Sequence, residues 1–406
     1  MTPRYDAIVI GARCSGSPTA MLLARRGYRV LMVDRATFPS DTVSTHFIHA
    51  PGVAALARWG LRDELAASGC PPVRTYSFDF GPFTIAGSPR PADGVDEAYC
   101  PRRQVLDTML VGAATNAGVE FRSGFSVDGI LVEDGMVVGV RGREAAGRAV
   151  AEHARIVIGA DGRNSSLARA VRPEEYNTKP PLAPTFYSYW SGAGSAGFEV
   201  AVRGTSGMAA FPTHDGLTLV IVGLQQDEFD AAREDVEGTF RRTFDLVPEL
   251  GERLRGGRRE ERFRTASDLS GWFRKPYGAG WALVGDAGYR VHPITAQGIT
   301  DAFLDAERVT DAIDAAFTGR RPYAEAMAAY QAERDRSVMP MYEMTFQLAH
   351  LQPPPPEQQD LLAAVAADRR AADDFVSVQA GTLPIPEFFH PDNVVRILAG
   401  SAPAVP

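Results

Sequence analysis

Apolar positions along this chain alternate between short unbroken runs and helical stripes. Tyr5 to Ile10 is an apolar run ending at Gly11, which predicts a buried strand. Ser15 to Arg26 places Ala20, Leu22, Leu23 and Ala24 on a helix that Gly27 stops, and Tyr28 to Asp34 is a second strand. Strand, glycine-rich turn, helix and strand in this order predict a parallel βαβ unit. Pro51 fits the first turn of a helix over Gly52 to Trp59. Thr75 to Phe83 alternates aromatic and polar residues, as a half-buried strand does. Arg103 to Asn116 predicts a helix. Phe125 to Glu133 and Met136 to Arg141 flank Asp134-Gly135, a type I′ hairpin turn. Arg155 to Ile158 is a further buried strand.

The second half changes character. Phe186 to Ser191, Phe198 to Arg203, Met208 to Phe211 and Leu217 to Leu224 predict consecutive antiparallel strands. Asp227 to Phe244 predicts a helix, Trp281 to Val284 a buried strand, and Gln297 to Phe317 another helix. The helical stretch after Pro322 contains Pro340, which predicts a kink or a break. Pro353 to Pro356 predicts a stiff loop, and the tail beyond it an irregular segment. Met327, Met339, Met341, Met344, Tyr342 and Phe346 fall in this helical region, as core packing or as an adaptable channel lining.

The chain has 406 residues, enough for two or three domains. Hydrophobic residues are 45% and charged residues 23%, so an ordinary globular protein is expected. The net charge of −8, with no Lys/Arg block, argues against nucleic acid and anionic membranes as partners. No apolar run approaches the ~18 residues that span a bilayer. Cys14, Cys70 and Cys100 are an odd number without metal-type spacing, so no disulfide framework and no metal site are expected. With no signal peptide apparent, a cytoplasmic location is expected.

Three stretches carry chemistry. In IVIGARCSG, Ile8 to Gly16, the pattern Gly11-x-x-x-x-Gly16-x-x-x-Ala20 follows a strand and opens a helix. Gly11 allows the tight turn and Gly16 close packing, while the helix start offers N–H groups to a pyrophosphate. Asp34 ends the second strand, where a carboxylate accepts from ribose hydroxyls and disfavours the 2′-phosphate of NADP. Arg13 stands where a middle glycine is usual, so either the backbone approaches less closely or this side chain turns away. In IGADGRNSSLAR, Ile158 to Arg169, Asp161-Gly162 follows a buried strand, and Ser165 or Ser166 can cap the next helix. In LVGDAGYRVHPITAQGITDAFLDA, Leu283 to Ala306, Gly285-Asp286 ends a strand. Asp286 can bond a sugar-alcohol hydroxyl, Pro293 stiffens the loop, and Gln297-Gly298 opens a helix. The dipole of that helix suits a ligand edge that becomes negative, as reduced flavin does at N1–C2.

Together these stretches resemble the FAD-dependent aromatic hydroxylase (group A flavin monooxygenase) and geranylgeranyl reductase superfamily over roughly residues 1 to 320. The resemblance implies an α/β fold. A glutathione-reductase-type, Rossmann-like FAD-binding domain would come from residues 1–75, 100–183 and 270–318. An inserted antiparallel-sheet substrate domain would come from 76–99 and 184–269, and 319–406 would form a C-terminal helical cap and tail. It implies FAD held around Gly11, Arg13, Cys14, Ser15, Gly16, Asp34, Arg35, Asp161, Gly162, Gly285, Asp286, Pro293, Gln297, Gly298 and Ile299. Arg103 matches the family's cofactor-reaching arginine, or else is a surface residue at a helix start. Tyr289, Thr295-Ala296 and Thr300 depart from the family's usual histidine, Gly-Gly and asparagine.

No second dinucleotide turn follows, so NADPH or NADH would dock transiently as electron donor. The Trp-x-Trp-x-Ile-Pro stretch of flavin halogenases is absent, and GMAAFPTHDG lacks the aromatics that prenyl reductases carry before Phe-Pro. The expected function is therefore hydroxylation of an electron-rich aromatic or polyketide-like small molecule with O2, through a flavin C4a-hydroperoxide. A flavin-dependent reductase of isoprenoid or polyene double bonds and a non-catalytic FAD-fold escort protein are the alternatives. The chain is expected as monomer or homodimer. His46, in the loop Thr37 to Ala50, is the candidate catalytic acid or base. His49, Tyr187, Tyr189, Phe211 and His214 are candidate substrate contacts.

Overall fold

The computed structural model describes residues 4–195 and 197–400. The first and last residues of the expected domain set therefore lie outside the described residues. The predicted βαβ unit is the centre of the first sheet. Strands Trp281–Leu283, Ala149–Gly159, Tyr5–Ile10, Val30–Asp34 and Glu120–Ser123 run side by side, all parallel. Tyr5–Ile10 is buried almost throughout because helices Gly16–Arg25 and Gly298–Phe317 cover one face of the sheet and an apolar cluster from the hairpin covers the other. The predicted hairpin is present, with Asp134 (φ +50°) and Gly135 (φ +78°) both in the left-handed region. Its second strand pairs antiparallel with the first half of Ala149–Gly159, while the second half of that strand pairs parallel with Tyr5–Ile10. The strand is thus longer than Arg155 to Ile158, because its first half is only half-buried and lacks an apolar run.

A second sheet is built from the inserted segments. Thr185–Ser191, Thr218–Gly223, Ser206–Pro212 and Phe198–Arg203 are antiparallel neighbours, and Tyr76–Asp79 joins them parallel to Phe198–Arg203. Thr75 to Phe83 is therefore not one strand: Tyr76–Asp79 turns at Gly81 into Thr84–Gly87. Period-two alternation divides the sheet. Phe186, Trp190, Met208, Val220 and Val222 face helices Val236–Leu246 and Pro248–Gly256, while Tyr187, Tyr189, Phe198, Phe211 and Leu219 face the first sheet's side of the molecule. The stretch Asp227 to Phe244 is two helices, Phe229–Glu234 and Val236–Leu246, broken at Asp235, which caps the second through Gly238 N at 2.8 Å.

Of the two outcomes expected at Pro340 the break is excluded, and the expectation of an irregular tail is corrected. Pro340 neither ends nor splits its helix, which runs Tyr323–Leu348. Pro340 and Arg336 are both exposed, so the one carbonyl that loses its helical partner faces water. The tail is not irregular among the described residues: Pro356–Ala367, Arg369–Gln379, Ile385–Phe388 and Pro391–Gly400 are helices. Prolines 356, 386 and 391 stand in first turns, where a missing N–H costs nothing. These helices pack Leu362, Val365, Phe375, Val376 and Phe388 on the inner face of the second sheet. Met327, Tyr342 and Phe346 are fully buried core residues, with Tyr342 and Phe346 against Phe273 and Tyr289. Among the described residues no helix is long and apolar enough to cross a membrane.

Candidate active site

The glycine turn after Tyr5–Ile10 is packed to its limit. Gly11 has φ +103°, and a Cβ there would lie 2.4 Å from the Ala160 carbonyl oxygen. A Cβ on Gly16 would lie 1.8 Å from the Gly11 carbonyl oxygen. The turn is locked from the other side by Asp34, whose carboxylate accepts from Ala12 N and Ala36 N, both at 2.8 Å. Arg13 turns away from the turn. Its guanidinium pairs with Asp107, bonds Ser40 Oγ at 2.8 Å and lies over the Phe38 ring. Asp107 is fully buried and also takes a forked pair of bonds from Arg103 at 3.0–3.1 Å and the Cys14 thiol at 3.5 Å. Arg103 is itself buried, so its alternative as a surface helix-start residue is excluded. Asp107 was not foreseen, although its four-residue spacing from Arg103 on one helix is a legible signal.

The other two motifs converge on the same edge of the sheet. Ala160, just before Asp161-Gly162, lies against Gly11 and Gly16. Asp161 accepts from Ser166 N and Oγ, both at 2.7 Å, through one oxygen, while its other oxygen is buried without a partner. Gly285 (φ +60°) lies against Ser15, and its N–H donates to Asp305 at 2.9 Å. Asp286, Tyr289, Gly298, Asp301 and Asp305 line one small crevice beside it. The helix Gly298–Phe317 starts there, and a Cβ on Gly298 would meet no protein atom within 4 Å. Gln297 spends its amide nitrogen on the Gln379 carbonyl at 2.9 Å, which ties this helix start to the C-terminal helices. A turn that admits no Cβ, an unpartnered buried carboxylate oxygen and an open helix start suit a dinucleotide with a planar ring, so the residues present fit FAD.

Burial pushes the Asp301 carboxyl up to about 7, with Asp305 adding to the rise and Arg308 opposing it. The unfolded carboxyl titrates near 3.8, so folding takes up a proton and stability falls as pH rises from about 4 to about 7. Asp301→Asn should therefore stabilise the protein more at pH 8 than at pH 5, by about 2–3 kcal/mol. Denaturant titrations at the two pH values measure this, and an equal effect at both would assign the carboxylate a charged partner.

The histidines divide sharply. His49 bonds Tyr76 OH at 2.8 Å and the Thr295 carbonyl at 3.0 Å, and His214 bonds Ser68 Oγ at 3.0 Å and Arg102 N at 3.1 Å. Both rings are buried with both nitrogens occupied, so the structure leaves neither a free polar atom for substrate. Phe211 is stacked on Phe198 behind Phe47, also away from a free surface. His46 is different. It is fully buried, its backbone is left-handed at φ +61°, and Nε2 meets the Tyr189 hydroxyl at 2.5 Å while Nδ1 has no partner. Burial, then Arg103, Arg102 and Arg264, hold its pKa well below 6.5. It is neutral at physiological pH, which corrects the expectation of a histidine titrating near neutrality.

Residues 4–345 match the protein family described as FAD binding domain. The digeranylgeranylglycerophospholipid reductase of Methanocella arvoryzae is 25% identical over 342 residues, covering 82% of this chain and 83% of that protein. The structure of the myxobacterial chondrochloren halogenase CndH superposes with a TM-score of 0.77 at 23% identity, over 97% of this chain and 95% of that one. PqsL, described as "a probable FAD-dependent monooxygenase from Pseudomonas aeruginosa", gives 0.71 at 20% identity, over 91% and 98%.

Proposed function

The chain belongs to the FAD binding domain family and is an FAD-dependent oxidoreductase, and we propose that it is a monooxygenase hydroxylating an electron-rich aromatic or polyketide-like small molecule. The observation that supports this reading is His46, a neutral imidazole buried with one free nitrogen beside Tyr187 and Tyr189. A hydrocarbon double bond offers such a group nothing to bond, whereas a phenol, enol or carbonyl does.

Gly11, Gly16, Asp34, Asp161, Asp286 and Gly298 would hold FAD, which when bound supplies hydride acceptance from NADPH or NADH and oxygen activation. The start of helix Gly298–Phe317 places its positive dipole end at the crevice. Tyr189 fixes the plane of His46 through Nε2, and His46 Nδ1 would orient a substrate oxygen. Helices Arg369–Gln379 and Ile385–Phe388 cover the sheet side and exclude water. The similarity to the digeranylgeranylglycerophospholipid reductase of Methanocella arvoryzae favours a second reading, saturation of an isoprenoid double bond.

Turnover under labelled oxygen gas decides between them. Product should gain one labelled oxygen atom with oxidation of one nicotinamide. His46→Ala should keep its FAD and lose about ten-fold or more of turnover, the effect of one hydrogen-bonding catalytic group. Product gaining two hydrogens and no label, equally well without oxygen, would sink the monooxygenase.

A further inference from the structure

Polar side chains from separate segments converge around Tyr187 and Tyr189. Arg102 lies 4.1 Å over the Tyr189 ring and pairs with Glu261 at 2.7 Å and Asp41 at 3.6 Å. Arg264 pairs with Asp41 at 2.8 Å and Glu261 at 3.5 Å, and stands opposite Tyr187 across neighbouring strands. Two arginines and two carboxylates cancel in formal charge. Their hydrogen bonding does not balance. Arg102 Nε and Arg264 Nε are buried with no partner, and so is His46 Nδ1. The Tyr187 hydroxyl is buried beside the Ser44 backbone without a properly formed bond. Unpartnered buried donors are costly, about 1–3 kcal/mol each, so four in one neighbourhood point to a ligand rich in acceptors.

The His46 tautomer follows from the same contacts. Burial keeps Tyr189 a neutral phenol, and the Arg102 guanidinium on its ring face draws density from the O–H and favours donation. Tyr189 therefore donates to Nε2, and His46 carries its proton on Nδ1. The charged groups that act most on His46 are Arg103 and Arg102 at the start of helix Arg103–Asn116 and Arg264 on the sheet, with His214 adding to them and the two tyrosines packed against the ring. Asp41 and Glu261 pair with Arg102 and Arg264 as counter-charges of those arginines.

We propose that His46 Nδ1, Arg264 Nε, Arg102 Nε and the Tyr187 hydroxyl form a recognition site for an oxyanion of the substrate, a carboxylate, phenolate or enolate. The proposal rests on the monooxygenase reading and names the substrate class for that site. The four donors come from four segments and would share the ligand oxygens, while Asp41 and Glu261 keep both guanidinium groups in place.

The test uses FAD-loaded protein titrated with 2-naphthoate and with its neutral isostere 2-naphthamide, read by calorimetry and by the flavin absorbance. The acid should bind about ten-fold or more tighter than the amide, the worth of one charge-assisted hydrogen bond. Arg264→Gln and His46→Asn should each bring the two probes within about two- to three-fold of each other while FAD content stays full. Equal affinities in the wild type, a preference that survives both variants, or no binding of either probe each overturns the oxyanion site. Label incorporation without an acid preference would remove this site and leave the monooxygenase. An acid preference without label would do the reverse.

Discussion

Gly16→Ala should yield a colourless protein. The new Cβ would stand 1.8 Å from the Gly11 carbonyl oxygen, 2.8 Å from the Gly11 carbonyl carbon and 3.1 Å from the Ala160 Cβ. These are backbone atoms and a short side chain, so no flexible end can swing aside. Helix Gly16–Arg25 must move off the turn, or the turn must open and break the Asp34 bonds to Ala12 and Ala36. Either movement costs about 3 kcal/mol or more and spreads the N–H groups that would grip a pyrophosphate. The expected result is loss of bound FAD on desalting and a melting temperature lower by several degrees. Gly298→Ala is the contrast. Its Cβ meets no protein atom within 4 Å, so the protein without cofactor should melt as before. FAD affinity should nonetheless fall if the flavin ring lies over this helix start. Full flavin content in the Gly16 variant would refute the assignment of the turn. An unchanged flavin spectrum in the Gly298 variant would place the ring elsewhere.

The parts of this fold that were legible obey local rules. A strand ending in Gly11 and a helix starting at Gly16 are fixed by residues within one turn of each other. The Asp134-Gly135 hairpin and the alternating faces of Thr185–Ser191 are equally local. The C-terminal helices were not legible because their prolines occupy helix starts, and proline reads the same at a start as at a break. The polar cluster was invisible for a different reason. Asp41, Arg102, Glu261 and Arg264 come from elements up to 223 residues apart, and no periodicity links them. His46 was legible as a residue but not as a chemical species. Its neutrality is set by arginines on other elements, and its orientation by a tyrosine 143 residues away. His49 and His214 look identical to it in the chain, and only their partners separate braces from a free imidazole.

Arg334→Met should be among the most destabilising single changes in the molecule, although Arg334 touches no expected FAD or substrate residue. Its side chain is 1% exposed, inside helix Tyr323–Leu348. It donates to the Gly288 carbonyl at 3.2 Å, the Arg274 carbonyl at 3.1 Å and the Tyr176 hydroxyl at 2.9 Å, and pairs with Asp335 at 2.8 Å. The guanidinium also lies 5.6 Å from the Phe273 ring centre. One planar cation thus ties the long helix to strand Gly271–Arg274 and to the Gly285–Arg290 loop that carries Asp286. Methionine fills similar volume but removes the guanidinium donors from the Arg274 and Gly288 carbonyls and the Tyr176 hydroxyl, while Gly288 keeps the Arg274 N–H at 2.8 Å and Tyr176 keeps Gln331 Nε2 at 3.0 Å. Asp335, 23% exposed, can turn to water, so the bonds to the Arg274 and Gly288 carbonyls and the Tyr176 hydroxyl carry the loss. The expected cost is about 2–4 kcal/mol, for charge-assisted hydrogen bonds lost at acceptors of which two keep another donor. Lysine keeps the charge but reaches only part of this fan of acceptors, so Arg334→Lys should fall between wild type and methionine. Denaturant unfolding of the three proteins, each with and without added FAD, measures both consequences. The loop, loosened by the loss of one of the two bonds to the Gly288 carbonyl, should also weaken FAD retention in the methionine variant. A cost below about 1 kcal/mol would mean that water replaces the guanidinium, and that the long helix holds the flavin loop through the Tyr330 bond to the Leu283 carbonyl and the packing of Tyr342 and Phe346.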